Sequence, residues 1–416
     1  MSSQERVVII GAGQAGGQAA VSLRQMGYAG EIVLVGDELA PPYQRPPLSK
    51  AYLKGKLDRE RLFLKPYQFY ADNKITLETG KRASKIDRAA KTVQFEDGTE
   101  LGYTKLIIST GSRPRPLPVP GADLENVLDL RTLEDVNMLK PHMKEAHRIV
   151  IVGAGYIGLE AAAVARELGL DVTVLEMAPR VLARVTSPTM SAFYQLLHEN
   201  HGVKVRTSAR LMELKGDKHG KVTDALLGND ELVPADLVLV GIGILPNEEL
   251  ASDAGIACKN GILVDRDART NDPDVYAIGD CAHRPLVHYG REGRLESVHN
   301  AIEQGKIAAA HICEKPRPME DVPWFWSDQY DVKLQIAGLS QDADQAVTRG
   351  DPTTGSFAVF YFQGDTLIAV DAANAPPEFL TAKRLIAQGA TVSKEEIADT
   401  SVSMKDIMTK ALAAAG

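Results

Sequence analysis

Two glycine triplets set the chemistry open to this chain: Gly11-x-Gly13-x-x-Gly16 and Gly153-x-Gly155-x-x-Gly158. Each follows an apolar run, Val7-Val8-Ile9-Ile10 in one case and Ile149-Val150-Ile151-Val152 in the other, and each leads into a stretch of helical composition. In a strand–turn–helix of this kind the first glycine makes the tight turn. The second lets backbone approach a pyrophosphate, and the third lets helix pack on strand. The phosphates then sit at the helix N-terminus, where unpaired N–H groups point. One such string is a weak signal; two, each led by a strand, point to two dinucleotides and to electrons passing between them.

Acidic residues stand where each unit needs them. The strand Glu31–Val35 ends at Gly36-Asp37, and Asp171–Leu175 ends at Glu176. A carboxylate at such a tip accepts hydrogen bonds from ribose hydroxyls. Glu176 is expected to bind the adenosine 2′-hydroxyl and repel a 2′-phosphate, which predicts NADH over NADPH; Arg180 and Arg184 nearby are the residues that could instead accommodate that phosphate. The three cysteines, Cys258, Cys281 and Cys313, are isolated, with no CxxC pair, so neither a disulfide framework nor a two-thiol relay is expected. His198 and His201 fall short of a metal spacing and lack an evident third ligand, so they read as a polar helix end and no metal is expected.

These residues need elements to hold them. A chain of 416 residues suggests about three domains. Its 44% hydrophobic and 25% charged content is that of an ordinary globular protein. The net charge of −8 argues against nucleic acid or an anionic membrane as a general partner. No run approaches the roughly 18 apolar residues of a membrane span. The start, Met1 to Arg6, runs straight into the first strand, so the cytoplasm is the expected compartment. Pro41 to Lys50 reads as stiff and irregular, a segment able to hold Lys50 over a flat ring system. Prolines 114, 116, 118 and 120 mark one crossing between domains, Leu245-Pro246-Asn247 a second, and the composition changes again beyond Pro323. Val238 to Gly243 reads as an apolar strand closed by a glycine turn, and Val275 to Asp280 as another ending in Gly-Asp.

With these residues assembled, the chain resembles the FAD-dependent, NADH-using ferredoxin reductases of bacterial oxygenase systems, the putidaredoxin reductase type. The likeness rests on Pro46-Pro47-Leu48-Ser49-Lys50, Thr110-Gly111, Arg131-Thr132-Leu133-Glu134-Asp135, Gly155-Tyr156-Ile157-Gly158-Leu159-Glu160, Gly279-Asp280 and Pro323-Trp324-Phe325-Trp326-Ser327-Asp328. It implies an α/β fold of two Rossmann-like dinucleotide-binding domains, glutathione-reductase-like, plus a C-terminal α+β domain. Residues 1–112 and 246–322 would form the FAD domain, 113–245 the NADH domain, and 323–416 the C-terminal domain near the flavin.

The resemblance further implies that Gly11, Gly13, Ala15 and Gly16 lie on the FAD pyrophosphate and that Asp37 takes the adenosine ribose. Lys50 lies beside the flavin, Ala83 gives backbone to the adenine end, and Arg131 contacts the cofactor between domains. Asp280 bonds the ribityl chain, and Val298 begins a helix, read as Asn300 to Ala310, whose N-terminus points at the flavin. Trp326 borders the flavin on the partner side or packs in the core. Gly153, Gly155, Gly158, Glu176 and Gly243 would hold NADH. Glu160 would face the nicotinamide and pair with Lys50 when the domains close; its plain alternative is to favour the helix dipole.

Electrons must then leave the flavin. Residues 37 to 60 contain no cysteine, which argues against disulfide reductase and peroxidase relatives. The exit implied is a 2Fe–2S ferredoxin serving a cytochrome P450 or a ring-hydroxylating dioxygenase. Lys306 and Lys333 are the docking residues expected to meet its acidic surface. An NADH–rubredoxin reductase would share every site named and differ only in the docking face; rivals of other classes are an apoptosis-inducing-factor-like NADH-responsive flavoprotein and a plain NADH oxidase.

Overall fold

The computed structural model describes residues 5–415; the start at Met1 to Gln4, read above for targeting, lies outside them. The chain divides into two compact units. The first gathers the chain up to Arg45, Leu57–Arg113 and Ile244–Glu320, and the second gathers Pro46–Lys56, Pro114–Gly243 and the chain from Asp321 on.

The first unit is built on a five-stranded parallel sheet, in the order Val275–Ala277, Lys105–Ile108, Arg6–Ile10, Glu31–Val35, Ile75–Glu78. Its unbroken apolar runs follow from burial on both faces. Val7 and Ile9 pack under the helices Gln14–Gln25 and Val298–Ile312. Val8 and Ile10 pack on the other side with Ile86, Val93 and Phe95 of an antiparallel meander, Ala83–Asp87, Thr92–Phe95 and Glu100–Gly102.

The second unit repeats the parallel sheet, in the order Lys204–Arg206, Asp171–Leu175, Arg148–Val152, Leu237–Val240, Val127–Asp129. Its helices are Leu133–Glu145, started by a Thr132–Asp135 capping box, Tyr156–Glu167 and Pro188–Asn200. The unit also holds a small antiparallel sheet, Leu211–Gly216, Val222–Leu227 and Leu232–Pro234, and a five-stranded antiparallel sheet running from Trp324–Gln329 at one edge to Gln345–Asp351 at the other. One face is covered by Pro376–Ala387 and Met404–Ala415, whose Phe379, Leu385 and Ile407 join the sheet core.

The α/β architecture with an α+β end is the one expected. Two details differ. The second glycine-loop helix, read from sequence as Gly158 to Leu168, runs from Tyr156 to Glu167, and the helix read as Asn300 to Ala310 runs from Val298 to Ile312. Both extensions come from helix starts that sit inside the motifs themselves. Ser297 accepts the Asn300 N–H at 3.1 Å and caps the later helix.

Candidate functional site

The first glycine loop has a geometry only glycine permits. Gly11 has φ of 104°, and a Cβ on it would lie 2.1 Å from the Ser109 carbonyl oxygen; one on Gly16 would lie 2.0 Å from the Gly11 oxygen. A Cβ on Gly13 would meet nothing within 4 Å. Gly13 is also the N-cap of Gln14–Gln25, with no side-chain cap and no acid in the first turn. Its first N–H groups therefore face open space beside a positive helix end, which fits a pyrophosphate. The second loop repeats this: Gly153 has φ of 104°, Gly158 would clash with the Gly153 oxygen at 2.1 Å, and Gly155 is open and uncapped. Both cradles fit a dinucleotide.

Around the first loop the unit draws in the Gly-Asp turn and a crossing helix. Gly279 lies so close to Ala15 that a Cβ there would stand 2.9 Å from the alanine methyl. The Gly279 N–H donates to Gln304 at 2.8 Å, and Ser112 donates to the Asp280 carboxylate at 2.9 Å. Gly305 lets Val298–Ile312 cross the loop helix, since a Cβ on it would stand 3.1 Å from the Ala15 oxygen. Val298 is the first residue of that helix, and Ala83 is half-buried on its meander strand opposite Phe95.

The two strand-tip acids differ. Asp37 is more than half exposed and 3.5 Å from an equally exposed Arg82, a weak pair that leaves it open to a ligand hydroxyl. Glu176 accepts from the Ala154 N–H at 2.8 Å and the Ala178 N–H at 2.7 Å, so its carboxylate is fixed across the second loop. Arg180 spends its guanidinium on the Thr186 and Ala183 carbonyls and the Ser191 hydroxyl, at 2.6–2.8 Å. Arg184 is exposed, with its guanidinium 3.5 Å from where a Gly243 Cβ would lie; Gly243 has φ of 106°.

The second unit also brings Lys50 to Glu160. One 3-10 turn, Pro46–Ser49, aims both Ser49 and Lys50 at the helix Tyr156–Glu167. Lys50 Nζ donates to Glu160 Oε2 at 2.6 Å, and Ser49 Oγ donates to the same oxygen at 2.5 Å. Ser327 Oγ donates to Oε1 at 2.6 Å. Glu160 is only 2% exposed, and these donors replace the water its burial excludes. The pairing expected on domain closure is present within this unit. Ser49 and Ser327 were missed from sequence, although both sit inside the motifs that carried the resemblance.

Arg131 is half-buried just before the Thr132 cap, and its N–H donates to Asp135 at 2.9 Å. Trp326 is half-buried; Trp324, 5.5 Å away between ring centroids, is the tryptophan that packs on the C-terminal core and on Phe379. Lys306 and Lys333 are exposed, and no ion pair to either is found among the described residues. Burial raises the Cys258 thiol to about 11 and raises Cys281 too, so neither is a ready nucleophile. Reading both histidines as a polar helix end fails for His198. It is fully buried and bonded to Gln329 at 2.9 Å, because its side of the helix faces Trp324–Gln329 rather than solvent.

The pyridine nucleotide-disulphide oxidoreductase model matches residues 5–305, and the reductase C-terminal model matches 324–408. The chain belongs to the pyridine nucleotide-disulphide oxidoreductase family. A probable ferredoxin reductase CtmF of Castellaniella defragrans is 46% identical over 97% of this chain and 99% of its own length. Putidaredoxin reductase CamA of Pseudomonas putida is 43% identical over 99% of both chains. Among solved structures, the covalent putidaredoxin reductase–putidaredoxin complex contains a chain that matches with a TM-score of 0.97 and 43% identity, covering 99% of this chain and 100% of that one. The resemblance seen in the motifs is therefore borne out: this is an oxidoreductase of the putidaredoxin reductase type, a ferredoxin reductase with FAD and NADH as cofactors. No helix among the described residues is long and apolar enough to cross a membrane.

Proposed function

We propose that the chain takes a hydride from NADH onto FAD and releases the electrons singly to a 2Fe–2S ferredoxin that feeds a P450 or a ring-hydroxylating oxygenase in the cytoplasm. The observation that carries this is the pair of open, uncapped glycine cradles in a chain with no cysteine between residues 37 and 60. Two dinucleotides fit, and no thiol stands where a disulfide relay would need one. When bound, FAD supplies the change from two-electron to one-electron chemistry. The chain supplies positioning and charge.

In this reading Gly11, Gly13, Ala15 and Gly16 hold the FAD pyrophosphate, Asp37 its ribose and Ala83 its adenine end. Arg131, Asp280, the Val298 helix start and Trp326 hold and border the rest of that cofactor. Residues 1–112 and 246–322 form the FAD domain, 113–245 the NADH domain and 323–416 the third. Gly153, Gly155, Gly158 and Gly243 receive NADH. Glu176, pinned by two amides, accepts the 2′-hydroxyl and disfavours a 2′-phosphate, while Arg180 is already engaged. Lys50 places positive charge beside the flavin, and Glu160 orients Lys50 by pairing with it. Lys306 and Lys333 meet the acidic ferredoxin.

The test is NADH-driven cytochrome c reduction with and without a bacterial 2Fe–2S ferredoxin, with oxygen uptake followed in parallel. A large rise on adding ferredoxin, with little oxygen consumed, is expected. A rise with rubredoxin alone would move the assignment to the rubredoxin partner. Fast oxygen loss without a carrier would make the chain an oxidase, and slow flavin reduction with a long-lived NAD–flavin complex would make it an NADH-responsive protein.

A further inference from the structure

Three buried polar groups that this function leaves unused form one line behind Glu160. Ser327, Gln329 and His198 are all fully buried. The strand Trp324–Gln329 presents every second residue to the same neighbours. Phe325 rests on the Tyr156 ring at 4.8 Å between centroids, Ser327 reaches Glu160, and Gln329 reaches His198. The spacings match: Tyr156 and Glu160 lie one helical turn apart, about 6 Å, and Phe325 and Ser327 two strand residues apart, about 7 Å.

The direction of each hydrogen bond follows from the chemistry. An ionised carboxylate only accepts, so Ser327 donates to Glu160 Oε1. The Ser327 oxygen is then left to accept, and Gln329 donates its NH2 to it at 3.2 Å. Gln329 Oε1 faces His198 Nε2 at 2.9 Å, so Nε2 carries the hydrogen. His198 Nδ1 accepts from the Tyr330 hydroxyl at 3.4 Å. Burial pushes the imidazole down to about 4, so it is neutral near pH 7. Every donor points toward Glu160. The Gln329 amide does not pass a proton on, so the line orients and does not conduct.

We propose that Gln329 and His198 are positioning residues for the step that reduces the flavin, holding the Glu160 carboxylate, through Ser327, in the orientation that pairs with Lys50. This rests on the role given to Lys50 and Glu160 above. Lys50 and Ser49 both bind Oε2, whereas Ser327 is the donor on Oε1. A hydroxyl whose lone pair is not held by the amide is free to rotate, and the carboxylate loses its second anchor.

The experiment uses the FAD-loaded protein with Gln329→Leu, His198→Leu and His198→Gln, reduced anaerobically by NADH in a stopped-flow instrument. Gln329→Leu and His198→Leu are expected to lower the limiting rate of flavin reduction about tenfold, equivalent to about 1.4 kcal/mol, with the apparent Kd for NADH unchanged. His198→Gln, whose amide can still donate to Gln329, is expected to restore the rate. Without turnover, 15N NMR of the histidine-labelled oxidised protein is expected to show the Nε2–H form of His198 in the parent and mixed tautomers in Gln329→Leu. Parent rates in both leucine variants, with Glu160→Ala slow, overturn the positioning role and leave that of Glu160 standing. Glu160→Ala as fast as the parent overturns both. Should Gln329→Leu fail to fold, equal rates in His198→Leu and His198→Gln overturn the proposal.

Discussion

Among the described residues, two carboxylates are buried in the second unit, and they solve the same problem differently. Glu160 is 2% exposed and Asp371 is 1% exposed. Glu160 has a lysine on it, with serine hydroxyls on both oxygens. Asp371 is held by hydroxyls alone: Tyr361 donates to it at 2.5 Å and Thr186 also donates to it, while the Ser187 N–H donates to the Tyr361 oxygen at 3.0 Å. Burial without a nearby cation raises the Asp371 carboxyl to about 6. Glu160 ties the helix Tyr156–Glu167 to the strand Trp324–Gln329, and Asp371, on the strand Thr366–Ala373, is tied to Thr186 and through Tyr361 to Ser187, just before the helix Pro188–Asn200. Burial alone therefore does not distinguish the two acids; the lysine set against Glu160 does, and that pair is the one the proposed function uses.

The sharpest way to break this contrast is to remove Glu160. Glu160→Ala leaves Lys50 without its counter-charge and is expected to slow flavin reduction by NADH about a hundredfold, read by stopped-flow absorbance. An unchanged rate would reduce the pair to a structural one. Comparable in free energy, Lys50→Met leaves Glu160 buried without the lysine. It is expected to cost about 3 kcal/mol in a urea titration, most of it recovered in Lys50→Met/Glu160→Gln. Full stability in the single variant would show that the hydroxyls suffice, as at Asp371.

A third prediction turns on pH. The folded Asp371 carboxyl holds its proton above its ordinary value of 3.8, so its contribution to stability grows as pH falls through about 6 toward 4. His198, held down to about 4 from 6.5, loses stability as pH falls through nearly the same window. The two slopes oppose each other. Asp371→Asn is expected to lose about 2 kcal/mol more than the parent between pH 6.5 and pH 4, measured by urea titration at each pH. Parallel losses would mean that Asp371 does not titrate there. Smallest is the surface effect: Lys306→Glu and Lys333→Glu should each raise the ferredoxin KM about threefold at low salt and flatten its salt dependence. A KM unmoved at low salt would put docking elsewhere.

What the sequence made legible was local. The strand-led glycine loops, the acids at the strand tips and the Pro-Pro-Leu-Ser-Lys string each declare themselves within a dozen residues, because turn, cradle and cap are short-range geometry. The Lys50–Glu160 pair could be anticipated only through resemblance, since 110 residues separate its members. The connection of Ser327, Gln329 and His198 to Glu160 escaped notice for the same reason. Their meaning lies in which strand face meets which helix, and the alternation in Trp324–Gln329 shows two faces without saying what either one touches. His198 was misread, and His201 was not, because three-residue spacing puts His198 on the packed side of Pro188–Asn200 and leaves His201 exposed at its end.

The sheet order of the first unit bears on how the protein is made. Lys105–Ile108 lies between Arg6–Ile10 and Val275–Ala277, so that sheet keeps an unpaired apolar edge until the ribosome has passed Ala277. The other parallel sheet is complete at Val240. The nascent chain therefore finishes its second dinucleotide sheet before its first. The helix Val298–Ile312, which braces the first cradle, is synthesised later still; with FAD in that cradle, as proposed, flavin loading would be a late event, and the edge at Lys105–Ile108 would be the aggregation risk of an interrupted synthesis.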